Sequence, residues 1–439
     1  MRILGLGFSL AVVFGSTVGV GILRLPGTVA AQLGNSWLIL GVWIAGGVYT
    51  LLGAVSIAEL AAMLPQAGGF YVYAKRAFGS PVGFTVGWGD WLNNCAVLAF
   101  GSVAAAEYLS ALISRLGGHE TAVALLLIAS LTLLHWIGLR LSSVVLQLSS
   151  SATALTLIVL ACACFLHRGT NDSALHHPLA NAPSSALAIF AAVIVAIRAV
   201  IVTYDGWYEA IYFAEEDKDP TRNLPRAMIG GVVLIVALYL FMNLAFLRVM
   251  PMAELGASKL PAADAAQIVF ASSTFAPLSG KFVTLLSLLT LISLVNSVML
   301  GAPRILFAVG RDGLFTEKVT AVSATGTPRP ALLLSSLAAA LLIASGTFEN
   351  IVTVAAFFVA SIYCLNYVAV FALRQLEPAT PRPFRAWGYP WSTGVVLLGS
   401  FLFLVAAVHG DPGNALRAFV LLAISVPVYR WMKRRPSAS

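Results

Sequence analysis

The chain has 439 residues, of which 59% belong to the hydrophobic class and only 10% are charged. A soluble domain carries roughly 25% charged residues, and the mean hydropathy of this chain is +0.90. Disordered chains, collagen-like chains, disulfide-rich scaffolds and soluble multidomain enzymes are therefore excluded. The composition instead predicts a chain that lies mostly within a lipid bilayer.

Twelve apolar stretches approach the roughly 20 residues that a helix needs to cross a bilayer. In chain order they cover residues 3–33, 37–64, 82–113, 122–138, 141–166, 186–214, 227–247, 282–309, 331–345, 351–373, 395–408 and 415–431. The connectors between them are too short for a soluble domain. We therefore expect a single all-α integral membrane domain over residues 1–439, with 12 transmembrane helices.

The basic residues predict how this domain is oriented. If the N-terminus is cytoplasmic, most of the 26 Lys and Arg residues fall on the cytoplasmic side, as the positive-inside rule expects. They are Arg2, Lys75, Arg76, Arg140, Lys218, Arg222, Arg226, Arg304, Arg311, Lys318, Arg329, Arg374, Arg382, Arg385, Arg430, Lys433, Arg434 and Arg435. The net charge of +8 then reflects topology, and no nucleic-acid partner is expected. The prediction is a multi-pass protein of the cytoplasmic (inner) membrane with both termini in the cytoplasm.

The first apolar stretch contains an unusual run of glycines, Gly15-Ser16-Thr17-Val18-Gly19-Val20-Gly21. Each glycine weakens a helix by about 1 kcal/mol relative to alanine. One interpretation is a tight helix-packing face, because Gly15 and Gly19 are four residues apart. The other is an unwound segment near mid-membrane, where bare peptide N–H groups attract a carboxylate. Unwound backbone at this depth survives only where it lines a polar cavity.

The sixth stretch offers a counterpart, Thr203-Tyr204-Asp205-Gly206-Trp207-Tyr208. An acid beside a glycine within an apolar run again indicates a break. Interruptions at corresponding positions of two halves are typical of a transporter with its binding site at the midplane. Spans one to five and six to ten would form the two halves. Because each half has an odd number of spans, the second half starts on the opposite side of the membrane from the first, and the repeat is inverted. Helices 11 and 12, within 391–432, would be additional.

These residues resemble the amino acid–polyamine–organocation (APC) superfamily, and within it the light-chain-like amino acid transporters. The glycine motif of the first span is matched by Gly15, Gly19, Gly21, Ile22 and Pro26, and the exit of the second by residues 58–65 and 68–71. The sixth-span motif is matched by residues 204–207, 215–216 and 223–227, and the eighth-span exit by residues 304–314. The resemblance covers nearly the whole chain.

The resemblance implies a five-plus-five inverted repeat of the LeuT type, with discontinuous helices 1 and 6. Residues 3–166 would form the first repeat and residues 186–374 the second. In that family the substrate carboxylate meets backbone amides of the first span, here Ser16, Thr17, Val18, Gly19, Val20 and Gly21. The substrate ammonium meets carbonyl groups of the sixth span, here Val202, Thr203, Tyr204 and Asp205.

Two further side chains are candidates for the same pocket. Trp207 follows the second break and could close over a ligand, and Asn296 of the eighth stretch could contribute an amide. Plain packing is the alternative for Trp207, and a purely structural role is the alternative for Asn296.

Ionisable side chains at membrane depth are rare and usually functional. Asp205 could contact a substrate amine or titrate as a coupling group, or it could cap a half-helix that begins at Gly206. Glu209, one turn later, could line the inner path. Arg198 could pair with Glu107 or with Asp205 as a structural ion pair. We retain Asp205, Glu209 and Arg198 as coupling candidates.

The remaining intramembrane charges have simpler interpretations. Arg24 is expected to line an external vestibule, and Glu59 and Asp90 are expected to pair with basic residues of the loops. No metal or cofactor is expected, because His167, His176 and His177 lie in a polar connector without ligand geometry. The connector 114–120 lacks the external cysteine that would hold an accessory subunit, so we expect the chain to work alone.

The sequence therefore predicts a secondary active transporter of amino acids, a permease or an exchanger that works by alternating access. Its other expected partners are the lipid bilayer and, if transport is proton-coupled, protons. The alternative is a polyamine or cationic amino acid carrier in which Asp205 contacts the substrate amine. A membrane enzyme is disfavoured because the spans contain no His-Glu-x-x-His and no Gly-x-Ser-x-Gly pattern. A channel or sensor is a further class, and saturable transport would exclude it.

Overall fold

The computed structural model describes residues 2, 4–19, 21–167, 175, 178–179, 182–271, 273, 276–345 and 348–434. The first half of this part of the chain forms seven α-helices. They are α1 (Leu6–Thr17), α2 (Gly21–Leu33), α3 (Ser36–Met63), α4 (Phe70–Phe78), α5 (Ser80–Leu112), α6 (Glu120–Ile137) and α7 (Leu139–Leu166).

Ten further α-helices follow. They are α8 (Ala186–Thr203), α9 (Pro220–Val249), α10 (Met252–Ala257), α11 (Pro261–Phe270), α12 (Ala276–Arg311), α13 (Arg329–Ser345), α14 (Phe348–Leu376), α15 (Trp391–Gly410), α16 (Pro412–Ala423) and α17 (Ser425–Arg434). Short 3₁₀-helices cover Ser114–Leu116, Glu209–Phe213 and Glu317–Thr320. The described residues contain no β-strand, only an isolated bridge between Leu4 and Asp217.

Within the described ranges, ten helical segments are long and apolar enough to cross a membrane. The pair α1–α2, bent by 45°, adds one more, and α13 is a shorter apolar helix of 17 residues. The all-helical membrane class is thereby confirmed, whereas the count of twelve spans and the inverted repeat stay predictions.

The packing brings the two interrupted stretches together. The most extensive helix contacts join α5 to α12 and α3 to α9. Helix α1 packs against α7, α9 and α12, while α2 packs against α8 and α10. The ends of α1, α2 and α8 consequently meet inside the bundle, where Trp43, Tyr204 and Tyr239 are at most 1% exposed.

The second break differs from the prediction of a new half-helix at Gly206. Helix α8 ends at Thr203, residues 204–208 form turns, and only the 3₁₀-helix Glu209–Phe213 follows. Gly206 has φ +105°, a conformation that side chains other than glycine rarely adopt. No α-helix begins there, so the interpretation of Asp205 as a helix cap is wrong.

Glu59 confirms the expectation of an ion pair with loop bases. Its carboxylate, 1% exposed, accepts hydrogen bonds from Arg374 at 2.8 and 2.5 Å and lies 3.2 Å from Arg382. The end of α3 is thereby tied to the end of α14 and to the segment that follows it. The same expectation is wrong for Asp90, which instead accepts a hydrogen bond from Tyr212.

Candidate functional site

The site is built where the first and sixth apolar stretches lose their helical hydrogen bonds. Helix α1 ends at Thr17 and α2 begins at Gly21, while α8 ends at Thr203. The hydroxyl oxygen of Ser16 lies 2.8 Å from the carbonyl oxygen of Gly206 and 2.6 Å from that of Val12, so its one proton can be donated to either. The two breaks therefore touch directly, as discontinuous helices with a shared site require.

Glycine is needed on both sides of this contact. A Cβ atom on Gly206 would lie 2.5 Å from the carbonyl oxygen of Ser16, and a Cβ on Gly21 would lie 2.9 Å from Cγ2 of Thr203. Real Cβ atoms essentially never approach other atoms that closely. The glycines thus permit backbone of one break to approach the other break, which favours the unwound-segment interpretation over a simple packing face.

A tyrosine of α9 bridges the two breaks from behind. The hydroxyl of Tyr239 lies 3.1 Å from the carbonyl oxygen of Thr17 and 3.2 Å from that of Thr203, so its one proton can be donated to either. Its ring packs against Tyr204 and Trp43 with centroid distances of 5.0 and 5.7 Å. Tyr204 in turn donates to the carbonyl oxygen of Trp43 at 3.3 Å.

Most of the residues predicted in the first break are buried at this junction. Ser16, Thr17 and Val18 are 6%, 4% and 1% exposed. The hydroxyl oxygen of Thr17 is buried and has no hydrogen-bond partner among the described residues. Gly19 is half-buried, and Val20 lies outside the described residues.

The free peptide N–H groups lie slightly later in the chain than predicted. The N–H groups of Val18 and Gly19 already bond to Phe14 and Thr17, at 2.8 and 2.9 Å. The first turn of a helix has no intrahelical partners for its N–H groups. In α2 these groups belong to residues 21–23, and the positive end of the helix dipole lies with them. This end of α2 fits a carboxylate.

The second break carries an acidic and aromatic cluster. Asp205, partly buried, accepts a hydrogen bond from the hydroxyl of Tyr363 at 2.5 Å. The ring of Tyr363 also stacks on Trp207 at 5.8 Å and meets Tyr208 edge-on at 5.7 Å. A carboxylate framed by aromatic rings in this way fits a substrate ammonium group.

The sequence analysis did not identify Tyr239 or Tyr363 as site residues, although each belongs to a recognisable pattern of polar residues within an apolar helix. Tyr239 is followed by Asn243 at i+4 in α9, and Tyr363 by Asn366 and Tyr367 at i+3 and i+4 in α14. Polar side chains on one stripe of an apolar helix indicate a face that meets other polar groups.

Two predicted residues of α8 lie on its exposed surface. Val202 is 50% exposed, and Arg198, one turn earlier, is also exposed. Among the described residues no carboxylate lies within salt-bridge distance of Arg198. The expected pairing with Glu107 or Asp205 is therefore wrong. The physical reason is that α8 ends before Asp205, so the helical spacing that aligned the two residues does not hold.

Asn296 is fully buried and is engaged in helix–helix hydrogen bonds. Its carbonyl oxygen lies 2.8 Å from Nε2 of His135 in α6, and its amide donates to the carbonyl oxygen of Ser142 in α7 at 3.5 Å. These contacts correspond to the packing interpretation. Thr203 likewise uses its hydroxyl within α8, donating to Ala199 at 2.8 Å.

Ion pairs hold together the end of the bundle at which the chain begins, here called the N-terminal face. Arg304 bonds both carboxylate oxygens of Glu216 at 2.9 and 3.0 Å, and Arg311 bonds Glu215 at 2.7 Å. Backbone hydrogen bonds join Leu4 to residues 216 and 218. The segment after the second break is thus fixed to both α12 and the start of the chain.

The opposite face contains a polar cavity of about 560 Å³ that reaches the start of α2. It is lined by Gly21, Arg24, Leu25, Thr28, Ala31, Gln32 and residues 256–259. The exposed positions 24, 28, 31 and 32 recur at helical spacing, so one polar face of α2 forms a wall. Arg24 lines this cavity, which gives access to Gly21, and the external position of the cavity stays a prediction.

The described residues contain no group of three or more His, Cys, Asp or Glu side chains placed to hold a metal ion. An apolar helical bundle with ten candidate spans among the described residues defines a polytopic membrane protein. The chain belongs to the amino acid permease family, whose family model matches residues 4–426. This match confirms the resemblance found in the sequence.

Curated relatives are similar over almost the whole chain. The serine/threonine exchanger SteT of Bacillus subtilis is 28% identical, covering 99% of this chain and 98% of its own length. The b(0,+)-type amino acid transporter 1 of Mus musculus is 27% identical, covering 98% and 87%. The large neutral amino acids transporter small subunit 2 of Rattus norvegicus is 27% identical, covering 97% and 80%. These relatives are transporters and exchangers rather than enzymes.

Proposed function

We propose that the protein is a secondary active transporter that carries amino acids across the cytoplasmic membrane by alternating access, as a permease or exchanger. The substrate lies between the two breaks. Its carboxylate accepts hydrogen bonds from the first turn of α2, and its ammonium group faces the carbonyl groups of residues 202–205 and the carboxylate of Asp205. The proposed pocket comprises residues 16–21, Thr203, Tyr204, Asp205 and Trp207. Val202 contributes only its backbone carbonyl group, since its side chain is 50% exposed. Asn296 keeps its helix–helix hydrogen bonds and is no longer assigned to the pocket.

One observation supports this proposal above the others. The hydroxyl of Ser16 bonds the carbonyl oxygen of Gly206, so the non-helical ends of two helices, 190 residues apart in the chain, meet. One of these ends offers peptide N–H groups and the other offers acceptors. A zwitterion with both charges on one carbon is the small ligand that fits such a pair.

The names of the relatives support a neutral amino acid as substrate, since two of them specify serine, threonine or large neutral amino acids. A polyamine or cationic amino acid is the second candidate. Asp205 favours it, because its carboxylate accepts hydrogen bonds from the neutral Tyr363 hydroxyl and from the backbone of Gly206, so its charge remains for a substrate amine. The two candidates differ in whether the substrate needs a carboxylate.

The topology belongs to the same proposal. Residues 3–166 and 186–374 form the two inverted repeats, the segment 391–432 adds helices 11 and 12, and twelve spans result. The N-terminal face is cytoplasmic, so its ion pairs close the inner side while the cavity beside α2 opens outward. The chain functions without an accessory subunit, although the rat relative is named as a small subunit.

The coupling candidates are no longer equal. Arg198 lies on the exposed surface of α8, whereas Asp205 lies in the turns of the second break and Glu209 begins the 3₁₀-helix that follows them. We therefore assign coupling to the acidic pair, and Arg198 to the exposed surface.

A thermal-shift screen followed by counterflow tests the function. The purified protein is heated with single amino acids and amines, because a ligand that binds the folded state raises its apparent stability. Stabilising compounds are then used to preload proteoliposomes, and uptake of the same labelled compound is measured. We expect saturable counterflow of at least one neutral amino acid. Absence of counterflow for every amino acid and amine would refute the function.

The replacement Asp205→Asn tests the residue that distinguishes the two substrate candidates. The amide keeps the shape and can still accept the hydrogen bond of Tyr363, but it removes the charge. We expect uptake to be abolished or its substrate preference changed, with unaltered yield of folded protein. Unchanged uptake of every substrate across pH would exclude Asp205 from the mechanism.

A further inference from the structure

A buried acidic pocket lies one turn beyond Asp205, between the second break and two long helices. Glu209 and Tyr212 occupy positions i and i+3 of the 3₁₀-helix, where side chains lie on the same side. The hydroxyl of Tyr212 lies 2.7 and 2.9 Å from the two carboxylate oxygens of Asp90 in α5. A Cβ on Gly301 of α12 would lie 2.6 Å from Oε2 of Glu209 and 3.0 Å from the ring of Tyr212.

The pocket is buried, and its two carboxyl groups have no cationic partner among the described residues. Glu209 is 2% exposed and Asp90 is 1% exposed. Oε2 of Glu209 and Oδ1 of the neighbouring Asn94 have no hydrogen-bond partner among the described residues. No Lys, Arg or His nitrogen in that part of the chain lies within 4.0 Å of either carboxylate.

The surrounding elements bring few charges that could compensate. Arg304, one turn after Gly301, is already bonded to Glu216. Helix α1 contains no ionisable residue, and Arg222 and Arg226 of α9 are exposed. Helix α4 contributes Tyr73, whose buried hydroxyl has no partner in the described residues, and Tyr71 and Lys75, which are bonded to Asp312. The segment itself adds Asp205, Tyr208 and Tyr212, and α14 adds Tyr363.

Burying an unpaired carboxylate costs several kcal/mol, and two carboxyl groups in one site do not both ionise. At least one proton is therefore retained in this arrangement. We propose that Glu209 and Asp90 form the proton-binding site of the transporter, at which Glu209 is protonated while the N-terminal face is closed and releases its proton when that face opens.

The position of Glu209 explains how proton and substrate are coupled. The N–H group of Glu209 bonds the carbonyl oxygen of Gly206, so both residues move as one turn. Gly206 also accepts the hydrogen bond of Ser16 at the substrate site. Ionisation of Glu209 requires water to enter beside α12, which requires the turn to shift, and that shift alters the substrate contacts.

The test rests on the proposed transport function and separates the two claims. Wild-type proteoliposomes are assayed for counterflow at equal pH and for uptake driven by a proton gradient. We expect both, and a gradient of one pH unit supports up to about tenfold accumulation per proton. A protonophore is expected to remove the accumulation and leave counterflow. Counterflow without any response to the gradient would overturn the proton site while keeping the transport function.

The variant Glu209→Gln imitates the protonated side chain. We expect it to keep counterflow and to lose gradient-driven accumulation, and Asp90→Asn to weaken the same response. Glu377→Gln, a surface change at the N-terminal face, is the matched control and should behave as wild type. In infrared spectra at neutral pH, the wild type should show a protonated carboxyl band that Glu209→Gln lacks. Gradient-driven accumulation by Glu209→Gln would contradict the assignment.

Discussion

At the scale of single residues, the site depends on a few glycines that allow backbone to touch backbone. Gly206 combines φ +105° with contact to the carbonyl oxygen of Ser16, so both its conformation and its surroundings exclude a side chain. Gly230, in the middle of α9, has nothing within 4 Å of a Cβ position. The two glycines therefore form a matched pair for mutagenesis.

We expect Gly206→Ala to destabilise the protein. Backbone strain at such a conformation costs about 1–3 kcal/mol, and displacement of Ser16 adds to it. Gly230→Ala should be neutral or stabilising, because alanine favours a helix by about 1 kcal/mol over glycine. Thermal unfolding midpoints in detergent measure both. Equal midpoints for the two variants would show that the breaks do not touch.

The sequence predicted the two breaks well, because glycine and an acid within apolar runs are local signals. It did not predict the partners of Asp205 and Asp90. Tyr363 and Tyr212 reach these carboxylates across 158 and 122 residues of sequence, and pairing over such separations depends on helix packing. The N–H groups at the start of α2 were misplaced by a few residues, because Val18 and Gly19 close a last turn of their own.

At the scale of elements, the helices have apolar middles and charged ends, and ion pairs join these ends at the N-terminal face. The pair of Glu59 with Arg374 is largely buried, whereas the pair of Arg76 with Glu377 has side chains 54% and 21% exposed. A hydrogen bond from Arg76 lowers the pKa of the Glu377 carboxyl, so this small contribution is present at neutral pH and lost as the pH falls.

We expect Glu59→Gln to lower stability far more than Glu377→Gln. Removing one partner of a buried pair costs about 3–5 kcal/mol, since the guanidinium groups of Arg374 and Arg382 remain uncompensated. An exposed pair contributes about 1 kcal/mol or less. Denaturation midpoints of the two variants at neutral pH provide the comparison. A larger loss for Glu377→Gln would invert this interpretation.

At the scale of the whole molecule, the charges predict which face meets the cytoplasm. The N-terminal face carries Lys75, Arg304, Arg311 and Arg374. The composition and the lengths of the apolar stretches were sufficient to predict the helical membrane class, because they need no knowledge of how the segments pack. The position of α10 beside the cavity could not be predicted, since a helix of six residues outside the apolar stretches leaves little pattern.

Labelling of single cysteines should reveal the orientation. In a background without the four native cysteines, His119→Cys and Lys318→Cys place thiols on exposed connectors at opposite faces. We expect a membrane-impermeant maleimide to label His119→Cys in intact cells, and Lys318→Cys only after permeabilisation. The reverse pattern would place the N-terminus outside.

The most direct measurement of the central claim compares a transported amino acid with analogues that lack one of its charges. Equilibrium binding to the purified protein is measured for the amino acid, its decarboxylated amine and its deaminated acid. If the end of α2 holds the carboxylate and the second break holds the ammonium group, each analogue should bind at least about tenfold more weakly, because hydrogen bonds to charged groups contribute about 1.5–3 kcal/mol each. An amine that binds as tightly as its parent amino acid would contradict the account.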